Sequence, residues 1–418
     1  MTRTGITFLF LFILSVPAAV AQRDLSGSLN GYLYRLIESM PGRGTDEYTP
    51  PDEDDLALWE HLADSLLSGN YVATARLAGE VGYELVRFTD ANSPFYILQK
   101  KESSSRYWGT YVLNPSPGAC RRIVVQAPHP RYDLNTGQEG VYVFHRTGAF
   151  FLFLAGTHRC NSTYLSPCSG TTTVCSGSTE PYHLSDMAHN TGTVFQLLTR
   201  KLAVHDTSLL FLQLHGFAMR DDDPYVIMSN GTRLTPHPDP LDTLKKALKA
   251  VDPVLDFRVA HQDTDWDRLV AFNNVQGRYL NGSDDPCRED AAGVSGRFLH
   301  IEQEKSRLRE DSTRWEKMAQ ALLRAFTSPS GISPPPFSGK VVVVPNPFRE
   351  CAEIFVEGLP YHCYGYELYS LQGKRMQQQR PACCGCILLH RGHLRPGLYI
   401  LHIYDKAGHT FRSKVVVE

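Results

Sequence analysis

The sequence lacks a charge excess of either sign. Its 42 lysines and arginines nearly balance 44 aspartates and glutamates, which gives a formal net charge of −2, and the basic residues form no tail or stripe. Binding to nucleic-acid phosphates depends on clustered Lys and Arg. We therefore expect no nucleic-acid partner. Beyond its N-terminus the chain also has no apolar run long enough to span a bilayer, so we expect no transmembrane segment.

Several catalytic motifs are missing as well. The sequence contains no Gly-x-Ser-x-Gly motif and no glycine-rich phosphate loop, so it does not favour a serine hydrolase or a nucleotide-binding enzyme. No cysteine lies at a predicted helix start beside a strand, where a Cys–His protease would need it. The four tryptophans are scattered and predict no aromatic platform. A carbohydrate-binding adhesin is therefore the least favoured function.

The N-terminus has the pattern of a signal peptide over residues 1–21. A basic residue, Arg3, precedes the apolar run FLFLFILSVPAA at residues 8–19, and the small residues Ala19 and Ala21 stand before Gln22. This order of basic, apolar and cleavage regions is typical of a secretory signal. We expect the mature chain to be exported through the periplasm to the cell surface or secreted.

Export makes the ten cysteines candidates for disulfides. Five precede residue 300 and five follow residue 350, and an odd group cannot pair completely within itself. We therefore expect at least one free thiol in each group, or one bridge between the groups. Cys160, Cys168 and Cys175 lie near one another in sequence, and we expect them to staple a loop rather than to react.

The composition divides the chain into two regions. Residues 328–339 (SPSGISPPPFSG) are rich in Pro, Ser and Gly, which predicts a linker. Before it, residues 22–327 alternate short apolar strand candidates with helical stretches. This pattern predicts an α/β domain whose mostly parallel or mixed central sheet is flanked by helices. After it, residues 340–418 read as a small all-β sandwich, with strands at 340–344, 353–357, 364–370, 398–404 and 410–417.

This C-terminal region carries three motifs in a fixed order. They are VVPNPF at residues 343–348, LYSLQGKR at 368–375, and LRPGLYILHIYDKAGHTFRSKVVV at 394–417. Together they resemble the C-terminal sorting domain of type IX secretion cargo, which is found in Bacteroidetes-type bacteria. The resemblance implies that the type IX secretion machinery is a partner and carries the protein across the outer membrane. The cysteine-rich insert at residues 383–386 departs from the usual pattern.

Polar residues follow three strand candidates of the first region. In a parallel sheet, ligands bind beyond the carboxyl ends of the strands, so we expect these residues to share one rim. The residues are His129, Asp133 and Glu139 after the first strand, His158 and Arg159 after the second, and His215 after the third, which we place at residues 208–214.

These residue types fit a catalytic zinc site, which commonly has three protein ligands from His and carboxylate side chains. His129, a carboxylate from the same loop and His215 would supply them. Asp133 lies four residues after His129 and suits a tight chelating loop. Glu139 lies ten residues after it, and Thr136 could instead cap a helix with Glu139 at its third position. The second ligand is therefore either Asp133 or Glu139.

Further candidates would complete a hydrolytic site. Glu302 lies late in an apolar strand candidate, where an acid is costly unless it is paired or functional, and it could act as the general base for an activated water. Arg159 or Arg278 could hold a substrate carboxylate or a developing oxyanion. His158 and His189 are candidate substrate-binding residues, although His189 could equally be a helix-start residue.

A second resemblance rests on Pro-His at one strand end, a nearby carboxylate, a strand closing in Leu-His-Gly and a late strand ending in Ile-Glu. Over about residues 121–309 these motifs resemble the zinc-dependent exopeptidase and amidohydrolase fold. That group includes metallocarboxypeptidases, N-formylglutamate amidohydrolases and poly-γ-glutamate hydrolases. The resemblance implies His129 and His215 as zinc ligands, Glu302 as general base, and Arg159 for substrate or oxyanion. Carboxypeptidases place a ligand Glu where this chain has Tyr132.

The sequence thus predicts a secreted zinc hydrolase of amide bonds, acting on peptides or N-acyl amino acids, with an appended export domain. The alternative is a non-catalytic exported surface protein that retains the hydrolase fold. The missing His-x-x-Glu spacing favours that alternative.

Overall fold

The computed structural model describes residues 22–118, 120, 122–326, 340–357, 364–382, 387–405 and 410–418. The predicted signal peptide, the predicted linker and the cysteine-rich insert at 383–386 lie outside these residues. Within the described part of the chain, no helix combines the length and the hydropathy needed to cross a membrane.

The described residues before 327 contain one large sheet and one short ribbon. The ribbon pairs β7 with β8, and the other strands form a ten-stranded sheet in the order β1-β2-β3-β4-β6-β5-β9-β12-β10-β11. In chain order the strands are β1 Arg23–Ser26, β2 Tyr83–Asp90, β3 Ser93–Lys100, β4 Thr110–Leu113, β5 Ile123–Ala127, β6 Phe151–Leu154, β7 Thr171–Thr172, β8 Glu180–Pro181, β9 Leu210–Phe217, β10 Val226–Ser229, β11 Phe257–Val259 and β12 Phe298–Glu304.

The sheet is mixed, with a parallel block at its centre. Neighbours in the series β6, β5, β9 and β12 pair in parallel, whereas β2–β3, β3–β4, β4–β6 and β10–β12 are antiparallel. The central strands are buried on both faces, as IVVQA in β5 and FLFL in β6 show. Continuous apolar runs of this kind are typical of strands covered by helices on both sides.

Helices cover both faces of the sheet. Alternate residues of β5 point to opposite faces: Val125 packs in a core cluster with α1, α4, α6 and α8, and Val124 packs in a second cluster with α2, α3 and α5. The helices are α1 Leu29–Glu38, α2 Glu53–Leu67, α3 Tyr71–Glu80, α4 Thr136–Thr147, α5 Val194–His205, α6 Pro240–Val251, α7 Val275–Leu280 and α8 Ser312–Phe326, with a π-helical turn at Lys305–Arg309.

The described residues after 339 form two antiparallel sheets. One has the order β13-β14-β17 and the other β16-β15-β18-β19, and residues of both sheets pack in one hydrophobic cluster. Two of these strands, β16 and β17, were not expected from the sequence. The strands are β13 Lys340–Val344, β14 Cys351–Glu357, β15 Tyr364–Ser370, β16 Arg375–Ala382, β17 Ile387–His390, β18 Gly397–Asp405 and β19 Thr410–Val417.

Two disulfides staple the long loop between β6 and α5. Cys160 is bridged to Cys175, and Cys168 is bridged to Cys287. The expectation that the loop cysteines form bridges is therefore confirmed. Cys120 is buried with a free thiol, which is the unpaired cysteine expected among the five that precede residue 300.

Candidate metal centre

The parallel strands bring the candidate residues to one edge of the sheet. Because their carboxyl ends lie together, the loops after β5 and β6 meet the end of β9. His129 follows β5, and His215 lies within β9, directly opposite Glu302 of β12 in the ladder. The strand ends thus share a rim, as the sequence indicated. The predicted end of the third strand at residue 214 is wrong, because β9 continues through His215 to Phe217.

Three buried side chains converge at this edge: His129, Asp133 and His215. The Oδ2 atom of Asp133 lies 3.3 Å from Nδ1 of His129 and 3.1 Å from Nδ1 of His215. One ligand atom from each residue lies within 4.8 Å of the other two. Two imidazole nitrogens and one carboxylate oxygen are a donor set that suits a catalytic divalent ion with an open position.

An ion pair holds the outer nitrogen of His129. Its Nε2 lies 2.9 Å from Oδ1 of Asp186, and the other oxygen of Asp186 accepts a hydrogen bond from Nε of Arg159 at 2.9 Å. Burial raises the pKa of the Asp186 carboxyl, but Arg159 and His129 beside it outweigh this and hold that pKa well below its usual range. An ionised carboxylate only accepts, so Nε2 of His129 carries a proton and the neutral ring presents the Nδ1 lone pair to Asp133.

The outer nitrogen of His215 is also held by an acceptor, which in this case is a neutral side chain. Its Nε2 lies 2.9 Å from Oε1 of Gln213, two residues earlier on the same face of β9. An amide oxygen also only accepts, so the neutral ring of His215 carries its proton on Nε2. The Nδ1 lone pair of His215 therefore points at Asp133 too. A histidine whose outer nitrogen donates to an acceptor is the usual arrangement around protein-bound metals.

When both rings are neutral, two imidazole lone pairs face the Asp133 carboxylate, and a proton or a metal ion between them would stabilise this arrangement. Burial raises the pKa of the Asp133 carboxyl, but the charge of a protonated His129 and its hydrogen bond to Asp133 lower it overall, so this carboxylate is ionised. Burial and Arg159 lower the pKa of His129, yet Asp186 and Asp133 raise it above its usual value overall. A proton on His129 can therefore fill the position, and a divalent ion would satisfy all three acceptors at once. The residues present fit a metal ion.

A second group of possible ligands shares His215 and adds His300 and Glu302. Both residues project from the same face of β12, and Nε2 of His300 lies 3.8 Å from Oε1 of Glu302. Among the described residues, Nδ1 of His300 and Oε2 of Glu302 are buried without a hydrogen-bond partner. Burial and the Asp133 carboxylate raise the pKa of Glu302 to about 8.

The first group is the better candidate for a metal centre, and Glu302 is the better candidate for a base. Nε2 of His215 is occupied by Gln213, so His215 has one nitrogen to offer and can serve one ion. A metal ligand must be deprotonated. The lowered pKa of Asp133 meets this condition, whereas the raised pKa of Glu302 favours its protonated form. A general base works best with a pKa near the operating pH, which suits Glu302.

Glu139, the alternative second ligand, does not join the metal centre. It lies in the first turn of α4, fully buried, and its Oε2 accepts a hydrogen bond from Nε2 of Gln303 at 2.9 Å. Burial raises the pKa of Glu139 to about 8, so it is protonated at neutral pH. The expected cap is also wrong: Asn135 occupies the N-cap position without a side-chain bond, and the Thr136 hydroxyl donates to the Asp133 carbonyl at 2.7 Å.

A cavity of about 660 Å³ opens onto the centre. His129, His215 and Glu302 line one end of it, together with Arg159 and His300. The disulfide-stapled loop supplies a second wall through residues 171–174, and residues 269–274 supply a third. The cavity therefore joins the candidate ligands and base to a surface that could hold a substrate.

The remaining predicted residues take different places. Arg278 lines the cavity, but its guanidinium donates to the Phe272 carbonyl at 2.9 Å and to Asp290 at 2.6 Å, so it serves mainly to hold the wall. His189 also lines the cavity, stacked on Tyr182 with ring centroids 3.6 Å apart.

His158 does not reach the metal end. It is buried, and its Nδ1 accepts the backbone N–H of Cys160 at 3.1 Å. Its ring packs on Tyr132, with centroids 5.4 Å apart. His158 is not one of the described residues that line the cavity. His158 therefore lies beside the loop that carries His129 and Asp133, and it does not line the cavity.

Sequence reasoning missed three residues of the site. Asp186 and Gln213 hold the two histidines from behind, and His300 faces the cavity beside Glu302. A strand period of two could have indicated Gln213 and His300, because they lie two residues before His215 and Glu302. No spacing in the sequence indicated that Asp186, three residues before His189, would be the partner of His129.

Comparisons with known proteins do not assign a family. No protein-family model matches the chain, and no curated protein matches it. Among solved structures, it is similar to an endo-beta-1,4-mannanase from Thermotoga petrophila, at 8% identity and a TM-score of 0.14. That alignment covers 53% of this chain and 59% of the mannanase chain. A similarity this low carries no conclusion about fold or activity.

Proposed function

We propose that this chain is an exported, zinc-dependent hydrolase of amide bonds. The observation that carries the proposal is the convergence of two imidazole Nδ1 atoms, from His129 and His215, on one oxygen of Asp133. The outer nitrogens of both rings are occupied, so a cation at this position would bind the inner ones, of which Nδ1 of His129 also lies 3.4 Å from Nη1 of Arg159. A zinc ion held by these three residues would polarise an amide carbonyl and lower the pKa of a water molecule.

Glu302 is the general base of the proposed reaction. It lines the cavity next to His215, and one of its carboxylate oxygens has no partner among the described residues. Its pKa, raised to about 8 by burial and by Asp133, lies close to neutral pH. Glu302 can therefore take a proton from water and return it to the leaving amine.

Arg159 stabilises the negative charge that develops on the carbonyl oxygen. Its Nε holds Asp186, while Nη1 points the other way and lies 3.4 Å from Nδ1 of His129. One edge of the guanidinium thus faces the reacting centre, already held in place and buried, which is the condition for electrostatic stabilisation of a transition state. Peptides and N-acyl amino acids are the proposed substrates.

The same proposal includes the fold and the export signal. A parallel block with a metal centre at its carboxyl edge, inside a mixed sheet covered by helices, supports the zinc exopeptidase-like fold. The two antiparallel sheets after residue 339, together with the motif order in the sequence, support a type IX secretion sorting domain.

Metal analysis and two substitutions test the proposed function. Purified protein should contain about one zinc per chain, and His129→Ala should lose it together with activity on a panel of peptides and N-acyl amino acids. Glu302→Gln should keep the zinc and lose about 100-fold or more in kcat, the usual contribution of a general base. A protein that binds zinc weakly and hydrolyses no member of the panel would instead be the non-catalytic surface protein.

A further inference from the structure

Four buried side-chain amides lie behind His215, and we call them the amide network: Gln126, Gln213, Asn274 and Gln276. Gln213 is at its centre. Its Oε1 accepts from Nε2 of His215 at 2.9 Å and from Nδ2 of Asn274 at 2.5 Å. Its Nε2 donates to Oε1 of Gln126 and to Oε1 of Gln276, each at 3.2 Å. All four hydrogen-bonding positions of this amide are thus engaged.

Backbone groups fix the orientation of two members of the amide network. Oδ1 of Asn274 accepts the N–H of Gly277 at 3.0 Å, so the amide nitrogen of Asn274 must face Gln213. Nε2 of Gln276 donates to the carbonyl of Met187 at 2.8 Å, so the amide oxygen of Gln276 must face Gln213. Reversing either amide would set two donors or two acceptors against each other in a buried place, which costs free energy.

A third backbone group fixes Gln126 through a hydroxyl. The Thr199 Oγ1 donates to the carbonyl of Phe195 at 2.9 Å, so it accepts from Nε2 of Gln126, also at 2.9 Å. The amide oxygen of Gln126 therefore faces Gln213. With donors on one side and acceptors on the other, Gln213 has only one favourable orientation, and its oxygen faces Nε2 of His215.

We propose that the amide network is a positioning device that holds His215 in the tautomer with its proton on Nε2 and its Nδ1 lone pair directed at the metal position. Gln213 does not touch the metal position and acts through His215. The inference rests on the proposed metal centre. A lone glutamine could turn its amide over and present N–H groups to His215, which would favour the other tautomer and remove a ligand. The surrounding amides prevent this reversal.

The two histidines are thus positioned by different means. His129 faces an ionised carboxylate, Asp186, which accepts a hydrogen bond in either rotamer, so its tautomer needs no further support. His215 faces an amide, which has a donor nitrogen at one end and an acceptor oxygen at the other. The tautomer of His215 therefore depends on the orientation of that amide. Disturbing Gln213 should therefore affect metal binding through His215 alone.

Zinc affinity of the full chain tests the inference, with a chelator competition as the measurement and zinc alone as the probe. Gln213→Met keeps the side-chain size and removes the acceptor for His215, and we expect zinc binding to weaken about 10- to 100-fold, as when other groups that orient metal ligands are removed. Gln196→Met is the matched control. Gln196 is also a buried glutamine, bonded to Nε2 of Gln276 at 3.1 Å, but it does not contact His215. The control should bind zinc within about twofold of the unchanged chain, because Gln276 keeps its hydrogen bond to the Met187 carbonyl and His215 keeps its partner Gln213.

The tautomer itself gives a second readout that a purely structural role would not move. In chelator-treated protein labelled with ¹⁵N-histidine, the spectrum of the unchanged chain should show His215 with its proton on Nε2, and Gln213→Met should show a mixture. A proton on Nδ1 in the unchanged chain would overturn the inference, even if Gln213→Met does not fold. So would a folded Gln213→Met protein with unchanged zinc affinity, or an equal loss in the control. A chain that binds no zinc but has the expected tautomer would refute the metal centre and leave the positioning of His215 intact.

Discussion

At the scale of single residues, Asp133 and Glu139 have different proposed roles. Asp133 is a proposed metal ligand, whereas Glu139 packs in the core. Asp133→Asn keeps the shape of the side chain but removes the charge between His129 and His215. We expect zinc affinity to fall by about 100-fold or more, since a ligand contributes at least as much as the groups that orient it. Isothermal titration of zinc into the variant measures this.

Glu139→Gln is the control for that experiment. Its carboxyl is protonated at neutral pH and bonded to Gln303, so replacing it with an amide should leave zinc affinity unchanged. If Glu139→Gln loses zinc and Asp133→Asn does not, the assignment of the second ligand is reversed.

Glu139 should also make the stability of the protein depend on pH. Its pKa is about 8 in the folded chain against a usual value of 4.5, so the folded state binds more protons than the unfolded state between these values. The free energy of unfolding must therefore fall as pH rises through this window. Glu139→Gln removes that term, and its stability relative to the unchanged chain should rise by on the order of a few kcal/mol between pH 5 and pH 8.

Urea unfolding of both proteins at the two pH values measures the difference. Other titrating groups are common to both chains and cancel in the comparison. A difference that is the same at pH 5 and pH 8 would show that Glu139 is ionised in the folded state across this range.

The sequence could indicate His129, His215 and Glu302 because each lies at or near the end of an apolar run, where strand geometry directs side chains to a shared edge. It left Asp133 and Glu139 as alternatives, because a four-residue chelating loop and a longer loop were both possible. The structure separates them at Asn135, whose left-handed backbone (φ 70°) precedes the start of α4 at Thr136. Glu139 lies in the first turn of α4 and is bonded to Gln303.

At the scale of elements, the two disulfides of the β6–α5 loop should contribute unequally to stability. Cys160–Cys175 closes a separation of 15 residues and Cys168–Cys287 one of 119. A longer closed loop restricts the unfolded chain more, which corresponds to about 3 kcal/mol for the first bridge and about 5 kcal/mol for the second. Replacing Cys168 and Cys287 together by Ser should therefore destabilise the protein more than replacing Cys160 and Cys175.

Chemical denaturation of the two double-serine variants gives the comparison. The second bridge also holds the wall beside Arg278, which donates to Ser169 at 2.7 Å, so its loss should raise KM for an amide substrate while zinc affinity stays constant. If both double-serine variants lose the same stability, loop length does not decide the effect, and the bridges act mainly within the folded state.

Element types were readable where local pattern and tertiary environment agree. Helical apolar spacing at residues 193–202 of the sequence corresponds to α5, which the Thr193 side chain caps. The strands β5, β6, β9 and β12 coincide with continuous apolar runs. The direction of each strand pairing was not readable. For example, β10 runs antiparallel to β12, and only contacts between distant segments decide that. β16 was missed because RMQQQRPA is polar and lies at an edge of its sheet.

At the scale of the whole molecule, the division after residue 326 predicts a separation of tasks. Among the described residues, the candidate ligands, the candidate base and the cavity all come before it, whereas the motifs that resemble a sorting domain come after residue 339. In a bacterium with a type IX secretion system, deleting residues 340–418 should leave the protein in the periplasm, while the full chain reaches the cell surface or the medium. Immunoblots of the cell fractions measure this, and equal release of both forms would contradict the proposed role of the tail.

The pairing of β9 with β12 sets a limit on how this protein can change over evolutionary time. Side chains alternate along a strand, so an insertion or deletion of one residue within β12 would turn Glu302 to the opposite face and bring Ile301 or Gln303 to the cavity. Such an indel would hardly alter the amino-acid composition, and it would still remove the proposed base from beside His215. Natural variants of this chain should therefore differ in length in the loops before β12 and keep a constant number of residues within it.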